Sequence, residues 1–414
     1  MFIYKNKRGV FIFKKKEKKK KEKTNSRAFK FRLYPTKKQE EKLLWTLEQC
    51  RLTYNWALSE LDKQEKPNMF SIQSQLPILK NNDEDLQNVY CMCSQNEVHQ
   101  LFKNLKVLSK LKKKGIKVGK LKHKKFLKSF TYPSKDGHKI TKTGNRCDKL
   151  YLSKIGNIKI RMHRKMDGKI KRVTIKKESE GWYAIFITDG CYKVDNGKLE
   201  KGFDYNVGHY NDSEGNIIDV PLFLNKSLKK IKKTNQELHR KKKGSKNRKK
   251  NQEKLNKQYA KIKRQKKNWA HNFTTKEVNN CSSIFIEDLN IEEMVKKTNK
   301  EKYFNMRNML DSLWGLTAQM FDMKCQASDC KLVKVNPRNT TKTCHNCGYL
   351  QNMPLWKRVY NCSNCGLKID RDWNSAINIK KAGKNTIWKE ILAKQLGSVK
   401  VEDTKPIKQE AISF

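Results

Sequence analysis

Acidic residues are scarce in this 414-residue chain: 41 Asp and Glu stand against 94 Lys and Arg, a formal net charge of +53. Self-repulsion on that scale opposes compaction unless a polyanion neutralises it, which points to nucleic acid as the partner. Long apolar runs are lacking too. None approaches the roughly eighteen residues a bilayer span needs, and no amphipathic anchor stands out, so no membrane partner is expected. Phe2, Ile3, Val10, Phe11, Ile12 and Phe13 are too broken by charge to form a secretory signal. A disulfide framework is also missing. Cys50, Cys91, Cys93, Cys147, Cys191, Cys281, Cys325 and Cys330 are scattered without regular spacing, as in a reducing compartment. Aromatics, at 9%, are too frequent for a disordered basic tail. A folded nucleic-acid binder of about two or three domains is the expected class.

The remaining four cysteines are arranged. Cys344/Cys347 and Cys362/Cys365 form two Cys-x-x-Cys knuckles, each followed by a glycine, Gly348 and Gly366, that helps close a tight turn. Each knuckle offers two thiolates, and two facing knuckles complete a tetrahedral zinc shell with no open position, so the expected metal is structural. Asp370-Arg371-Asp372 follows at once, and then the small apolar helix start Ser375-Ala376-Ile377.

Residues 1–27 read as a basic low-complexity leader, mobile until it meets an anion. From Ala28 the character changes: Phe29 to Tyr34 alternates with period two as a strand, Pro35 stops it, and Thr36 caps a helix. Weaker helical signals run to about Lys112, broken by Pro67, Pro77 and the Asn81-Asn82-Asp83 turn. Strand signals return at Ser129–Tyr132, Leu150–Leu152, Asn157–Ile160, Lys171–Ile175 and Trp182–Ile187. One early strand, a helical insertion and several later strands predict a small β-barrel interrupted by a helical lobe. From Lys226 to Lys267 there are 20 Lys/Arg against two acids, a formal +18, with a break at Gly244-Ser245. This predicts two helices with a thin apolar stripe and a large phosphate-binding face, with Arg240, Lys246, Arg248 and Lys249 as candidate contacts. One helix is expected to carry Met306 to Phe321, and another Thr386 to Leu396.

Three carboxylates sit at element ends: Asp204 after Gly202-Phe203, Glu287 closing the strand Ile284-Phe285-Ile286, and Asp372 opening the last helix. In a mixed sheet such ends can meet, and three carboxylates together suit a pair of Mg²⁺ ions. Each also has a plainer reading, as turn residue, solvated strand end or helix cap.

Taken together, FKFRLYPTKKQEEKLL, CRLTYNWAL, GFDYNVG, KKKGSKNRKK, IEDLNI, TKTCHNCG and CSNCGLKIDRDWNSAINI resemble the TnpB (OrfB) family. These are transposon-encoded proteins related to the type V CRISPR effectors and to Fanzor proteins. The resemblance runs collinearly from about Ala28 to Lys380. It implies an α+β multidomain protein: an N-terminal wedge β-barrel (28–195) with an inserted helical recognition lobe (about 36–125), then an RNase H-like (RuvC) α/β nuclease domain (196–337 and 367–384). A zinc ribbon (338–366) is inserted before the last acid, and a tail (385–414) follows. The implied activity is RNA-guided DNA cleavage, with Asp204, Glu287 and Asp372 as catalytic Mg²⁺ ligands and Cys344, Cys347, Cys362 and Cys365 binding Zn²⁺. The implied partners are guide RNA and target double-stranded DNA. Base pairing would read the target and protein a short adjacent motif. A monomer in a prokaryotic cytoplasm or nucleoid, or in a nucleus if the host is eukaryotic, is the accompanying expectation.

One block departs from the family. Gly-x-Asp-x-Gly has Asn206 at its second glycine, and His209-Tyr210-Asn211-Asp212 is polar where the family has an apolar strand. The expectation is that Asn206 takes the left-handed conformation and that the next strand pairs less well. The alternative function is therefore a nuclease-silent RNA-guided DNA binder, or a DNA-binding transposition accessory.

Overall fold

The computed structural model describes residues 2–5, 11–14, 26–144, 146–189, 197–296, 303–354 and 356–395. The chain divides into two units, Met1–Tyr192 and Lys193–Phe414. Among the described residues no helix is long and apolar enough to cross a membrane.

In the first unit, β1 (Phe2–Lys5) and β2 (Phe11–Lys14) pair antiparallel. A leader without structure is therefore corrected at these two segments, whose Phe, Ile and Tyr content favours strand over coil; most of the leader lies outside the described residues. Alternation then builds β3 (Arg27–Tyr34), which turns Phe29, Phe31 and Leu33 inward. Thr36 and Gln39 form a reciprocal capping box, with Gln39 N donating to Thr36 Oγ1 at 3.3 Å and Thr36 N to Gln39 Oε1 at 3.0 Å. It starts α1 (Lys37–Asp62), and α2 (Met69–Ser74), α3 (Leu76–Asn81), α4 (Glu84–Gln87) and α5 (Cys91–Lys113) follow. Pro77 sits in the first turn of α3, where its missing N–H costs nothing.

The later strands are β4 (Ser129–Tyr132), β5 (His138–Thr141), β6 (Asp148–Leu152), β7 (Gly156–Arg161), β8 (Ile170–Glu178) and β9 (Gly181–Thr188). With β3 they make an antiparallel seven-stranded sheet in the order β4-β8-β9-β3-β7-β6-β5. The edges β4 and β5 do not pair, so among the described residues the sheet is open and the expected barrel does not close. The reason lies in the insertion. Leu43, Leu47, Cys50, Leu86, Val89 and Cys93 join the sheet's own apolar side chains in one core, so helices cover the face that closure would have buried. At the β4 edge Tyr90 stacks on Tyr132 at 5.5 Å and bonds Ser134 at 2.9 Å.

The second unit is mixed α/β. β10 (Leu199–Tyr205), β11 (His209–Asp212) and β12 (Ile217–Asp219) form a meander, and the cationic pair α6 (Phe223–His239) and α7 (Lys246–Asn280) leads to β13 (Cys281–Glu287). α8 (Ile291–Lys296), α9 (Tyr303–Asp311) and α10 (Trp314–Cys325) precede β14 (Lys331–Val335). The sheet order is β12-β11-β10-β13-β14, with β10, β13 and β14 parallel. The short pair β15 (Val359–Asn361) and β16 (Lys368–Asp370) enters α11 (Arg371–Gln395).

Phe203, Tyr205, Ile284 and Ile286 face one core, with Phe273 of α7 and Phe321 of α10. Phe285, Val333 and Val335 face the other, with Ile379 of α11. α11 seats closely because Gly202 has no Cβ to strike the Ala376 carbonyl, and Gly383 none to strike Phe285.

Two helix expectations change. The helix expected through Met306 to Phe321 breaks at Leu313, whose φ is +65°. There the buried Asp311 accepts from the Leu224 and Asn225 amides that start α6 and pairs with Lys266 at 2.7 Å. The helix expected from Thr386 is instead the continuation of α11.

Candidate active site

Period two decides which way the carboxylates point. Asp204 alternates with Phe203 and Tyr205, and Glu287 alternates with Ile286, so both turn away from the α7 face and toward α11. β10 and β13 pair in parallel through Phe203↔Ile286, which makes Asp204 and Glu287 the next residues on neighbouring strands. α11 brings Asp372 to the same end of the sheet. Asp204 is buried, and desolvation, then Glu287, then Asp372 push its carboxyl up to about 8. Burial also raises Glu287, against a hydrogen bond from Thr340. The structure thus brings Glu287 and Asp372 close enough to Asp204 to disfavour its charge, and such an oxygen set suits a hard divalent cation.

Each acid has its own protein partner. Asn206 Nδ2 donates to Asp204 Oδ2 at 3.1 Å, and Thr340 Oγ1 donates to Glu287 Oε1 at 2.7 Å. Arg371 reaches Asp372 Oδ1 with Nε at 2.8 Å and Nη2 at 2.7 Å. Arg358 Nη1 lies 3.4 Å and His209 Nε2 3.8 Å from Asp372 Oδ2. Asp370 caps α11, accepting from the Asp372 and Trp373 amides at 2.9 Å each.

The cysteine cluster is tighter. The four Sγ atoms lie within 4.8 Å of one another, the only such set of His, Cys, Asp or Glu among the described residues. Cys344–Cys365 and Cys347–Cys362 are 3.7 and 3.6 Å apart. Tetrahedral zinc with Zn–S of about 2.3 Å puts its sulfurs about 3.8 Å apart, so the cluster fits that ion. The two knuckles share one turn: Gly348 N and Gly366 N each donate to the first cysteine's carbonyl at 3.0 Å, with φ of +76° and +69° at the glycines. Asn374 and Asn378 of α11 then hold the module. Asn374 Nδ2 donates to Thr343 O at 2.8 Å and Asn374 Oδ1 accepts from His345 N at 2.9 Å. Asn378 Nδ2 donates to Thr340 O at 2.9 Å.

Comparison with known proteins agrees with this organisation. Residues 25–66 match a helix-turn-helix domain of OrfB proteins, 196–298 the OrfB family described as a probable transposase, and 314–379 a Cas12f1-like TNB domain. Over these three segments the chain is similar to the TnpB (OrfB) family. Curated relatives include the putative RNA-guided DNA endonuclease InsQ of Escherichia coli K12, 26% identical over 92% of this chain and 96% of that protein. A putative RNA-guided DNA endonuclease of Streptomyces pristinaespiralis is 26% identical over 86% and 89%. The fold is shared with the Cas12f1 chain of a cryo-EM structure of a Cas12f1–sgRNA–target DNA complex, at a TM-score of 0.54, 16% identity and 83% coverage of each chain.

The departure from the family block resolves differently from expectation. The positive φ falls at Gly208, +87°, and not at Asn206. The polar strand β11 pairs fully with β10, Asp204 opposite Asn211, because its polar groups are satisfied. Asp212 pairs with Lys201 at 2.9 Å, and Tyr210 Oη donates to Ser312 O at 2.6 Å.

Of the candidate phosphate contacts, Arg240, Lys246 and Lys249 are exposed. Arg248 is used within the fold: its Nη1 donates to Leu238 O at 2.7 Å and Lys241 O at 3.0 Å, tying down the end of α6. Thr340, Arg358, Asn374 and Asn378 escaped the sequence reading. The spacing of Asn374 and Asn378 on one face of a helix beginning at an acid was the available signal.

Proposed function

We propose that this protein is an RNA-guided DNA endonuclease of a transposable element, cutting target DNA at the site where Asp204, Glu287 and Asp372 meet. The observation that carries the reading is the gathering of the buried Asp204 and Asp372 and the half-buried Glu287 at one sheet end. On this reading the second unit is an RuvC-like nuclease domain of RNase H fold. The three acids hold Mg²⁺, as a pair of ions in the two-metal mechanism of phosphodiester hydrolysis. Such ions stabilise the attacking and leaving oxygens of a phosphodiester. Thr340 and Arg371 orient the Glu287 and Asp372 carboxylates. Cys344, Cys347, Cys362 and Cys365 hold a structural Zn²⁺ whose module carries Thr340 and Arg358 to the site. Guide RNA lies on cationic surfaces, Arg240, Lys246 and Lys249 among them, so its binding weakens steeply with salt. The first unit reads a short motif beside the target.

Sequencing the RNA that co-purifies, followed by cleavage of a plasmid library matched to it, tests the reading. Mg²⁺-dependent cleavage that Asp204→Ala abolishes is the expected result; cleavage that persists in that variant or needs no divalent ion contradicts it. The nuclease-silent alternative rests on the altered Asp204–Gly215 segment, and the pairing of β11 with β10 speaks against a weakened strand there.

A further inference from the structure

Asn206, where this chain departs from the family block, lies against the first carboxylate. Its Nδ2 donates to Asp204 Oδ2 at 3.1 Å and to Asn211 Oδ1 at 3.4 Å. A carboxylate can only accept, so the amide turns its NH₂ toward the site. The Asn206 backbone is held from two sides: its N–H donates to His209 O and its carbonyl accepts from Trp314 Nε1, each at 3.0 Å. Asn211 is 4% exposed and stands opposite Asp204 in the strand register. Oδ2 of Asp204 is thereby occupied, while Oδ1 carries no hydrogen bond from the described residues. A glycine at 206 offers no donor, so this chain has an outer hydrogen bond that the usual block lacks.

We propose that Asn206, braced by Asn211, is a positioning residue that fixes the rotation of the Asp204 carboxylate and keeps Oδ1 available to a divalent cation. The inference rests on the carboxylate-site reading above. Partners of this kind commonly change metal affinity by 10–100-fold when lost.

The test compares the full chain with Asn206→Gly, which restores the family residue and spares the turn, and with Asn206→Ala. Two readouts are used: the Mn²⁺-dependent rise in melting temperature, with Asp204→Ala as the blank, and the Mg²⁺ concentration giving half-maximal cleavage. Both variants should need about tenfold more metal in each assay, with the rate at saturating Mg²⁺ within about twofold of wild type. Wild-type metal dependence in both variants overturns the inference. So does a loss of maximal rate and melting temperature at unchanged metal dependence, which marks a merely structural role. If the wild-type chain responds to Mn²⁺ no more than the Asp204→Ala blank, the carboxylate reading itself fails.

Discussion

The cysteine cluster and the carboxylate cluster lie in the same unit and are built in opposite ways. The cysteines come from two copies of one local turn within residues 344–365, and their sulfurs already sit at zinc spacing. The carboxylates come from β10, β13 and α11, and nothing local gathers them. They meet because two strands pair in register and because Gly202 and Gly383 let α11 lie against the sheet. A site made of one repeated turn is closed and needs little from the rest of the chain. A site made at the junction of three elements is strained by its own charge and depends on every contact that holds those elements. Thr340 and Asn378 join the two, so the cysteine module braces the carboxylate end.

The largest expected effect breaks the carboxylate side alone. Asp204→Ala should lower target cleavage by about 10³-fold or more, since the transition-state charge loses its cation. Cleavage kinetics beside a melting curve check this, and the fold should survive because a repelling buried acid has been removed. Next comes the zinc side. Cys362→Ser, or chelation, should release the metal, melt the ribbon and lower cleavage indirectly through Thr340 and Asp372. Zinc content, expected at one ion per chain in the wild type, read with circular dichroism, distinguishes this from simple loss of catalysis.

A third effect separates the clusters by pH. Asp204 is held at about 8 in the folded chain, above the ordinary aspartate value of 3.8. Between those values the folded state holds more protons than the unfolded one, so without divalent ions this group makes stability fall as pH rises from about 4 to about 8. Asp204→Asn should remove that contribution, giving a melt that exceeds the wild type most at the alkaline end. Thermal melts in chelator across this range, with a zinc-retaining buffer control, provide the measurement. The smallest effect probes the bridge between the clusters: Thr340→Val removes one hydrogen bond to Glu287 and should cost about 1–3 kcal/mol, read as a stability loss in the melt.

How much of this was legible in the sequence follows the same division. The knuckles were readable because Cys-x-x-Cys with a trailing glycine encodes its own geometry. The strands from Phe29 to Ile187, except the missed β5 (His138–Thr141), were readable because alternation is a local signal. The carboxylate site was not, since Asp204, Glu287 and Asp372 looked individually like a turn, a strand end and a cap, and only family resemblance singled them out. Asp372 is a case in point, because the cap is in fact its neighbour Asp370. β11 was misread because Asn211 and Asp212 find partners, Asn206 and Lys201, that no window of sequence reveals. Barrel closure failed for a similar reason: whether β4 meets β5 depends on what the helical insertion covers, a property of the assembled core.

The central claim is that one pocket gathers the acids of β10, β13 and α11 around divalent ions. The most direct measurement is anomalous scattering from crystals of the full chain with its RNA, grown in Mn²⁺. Manganese peaks contacting Asp204, Glu287 and Asp372, and absent in Asp204→Ala, are the predicted result. Manganese bound elsewhere, with those three side chains keeping only their protein partners, contradicts the account.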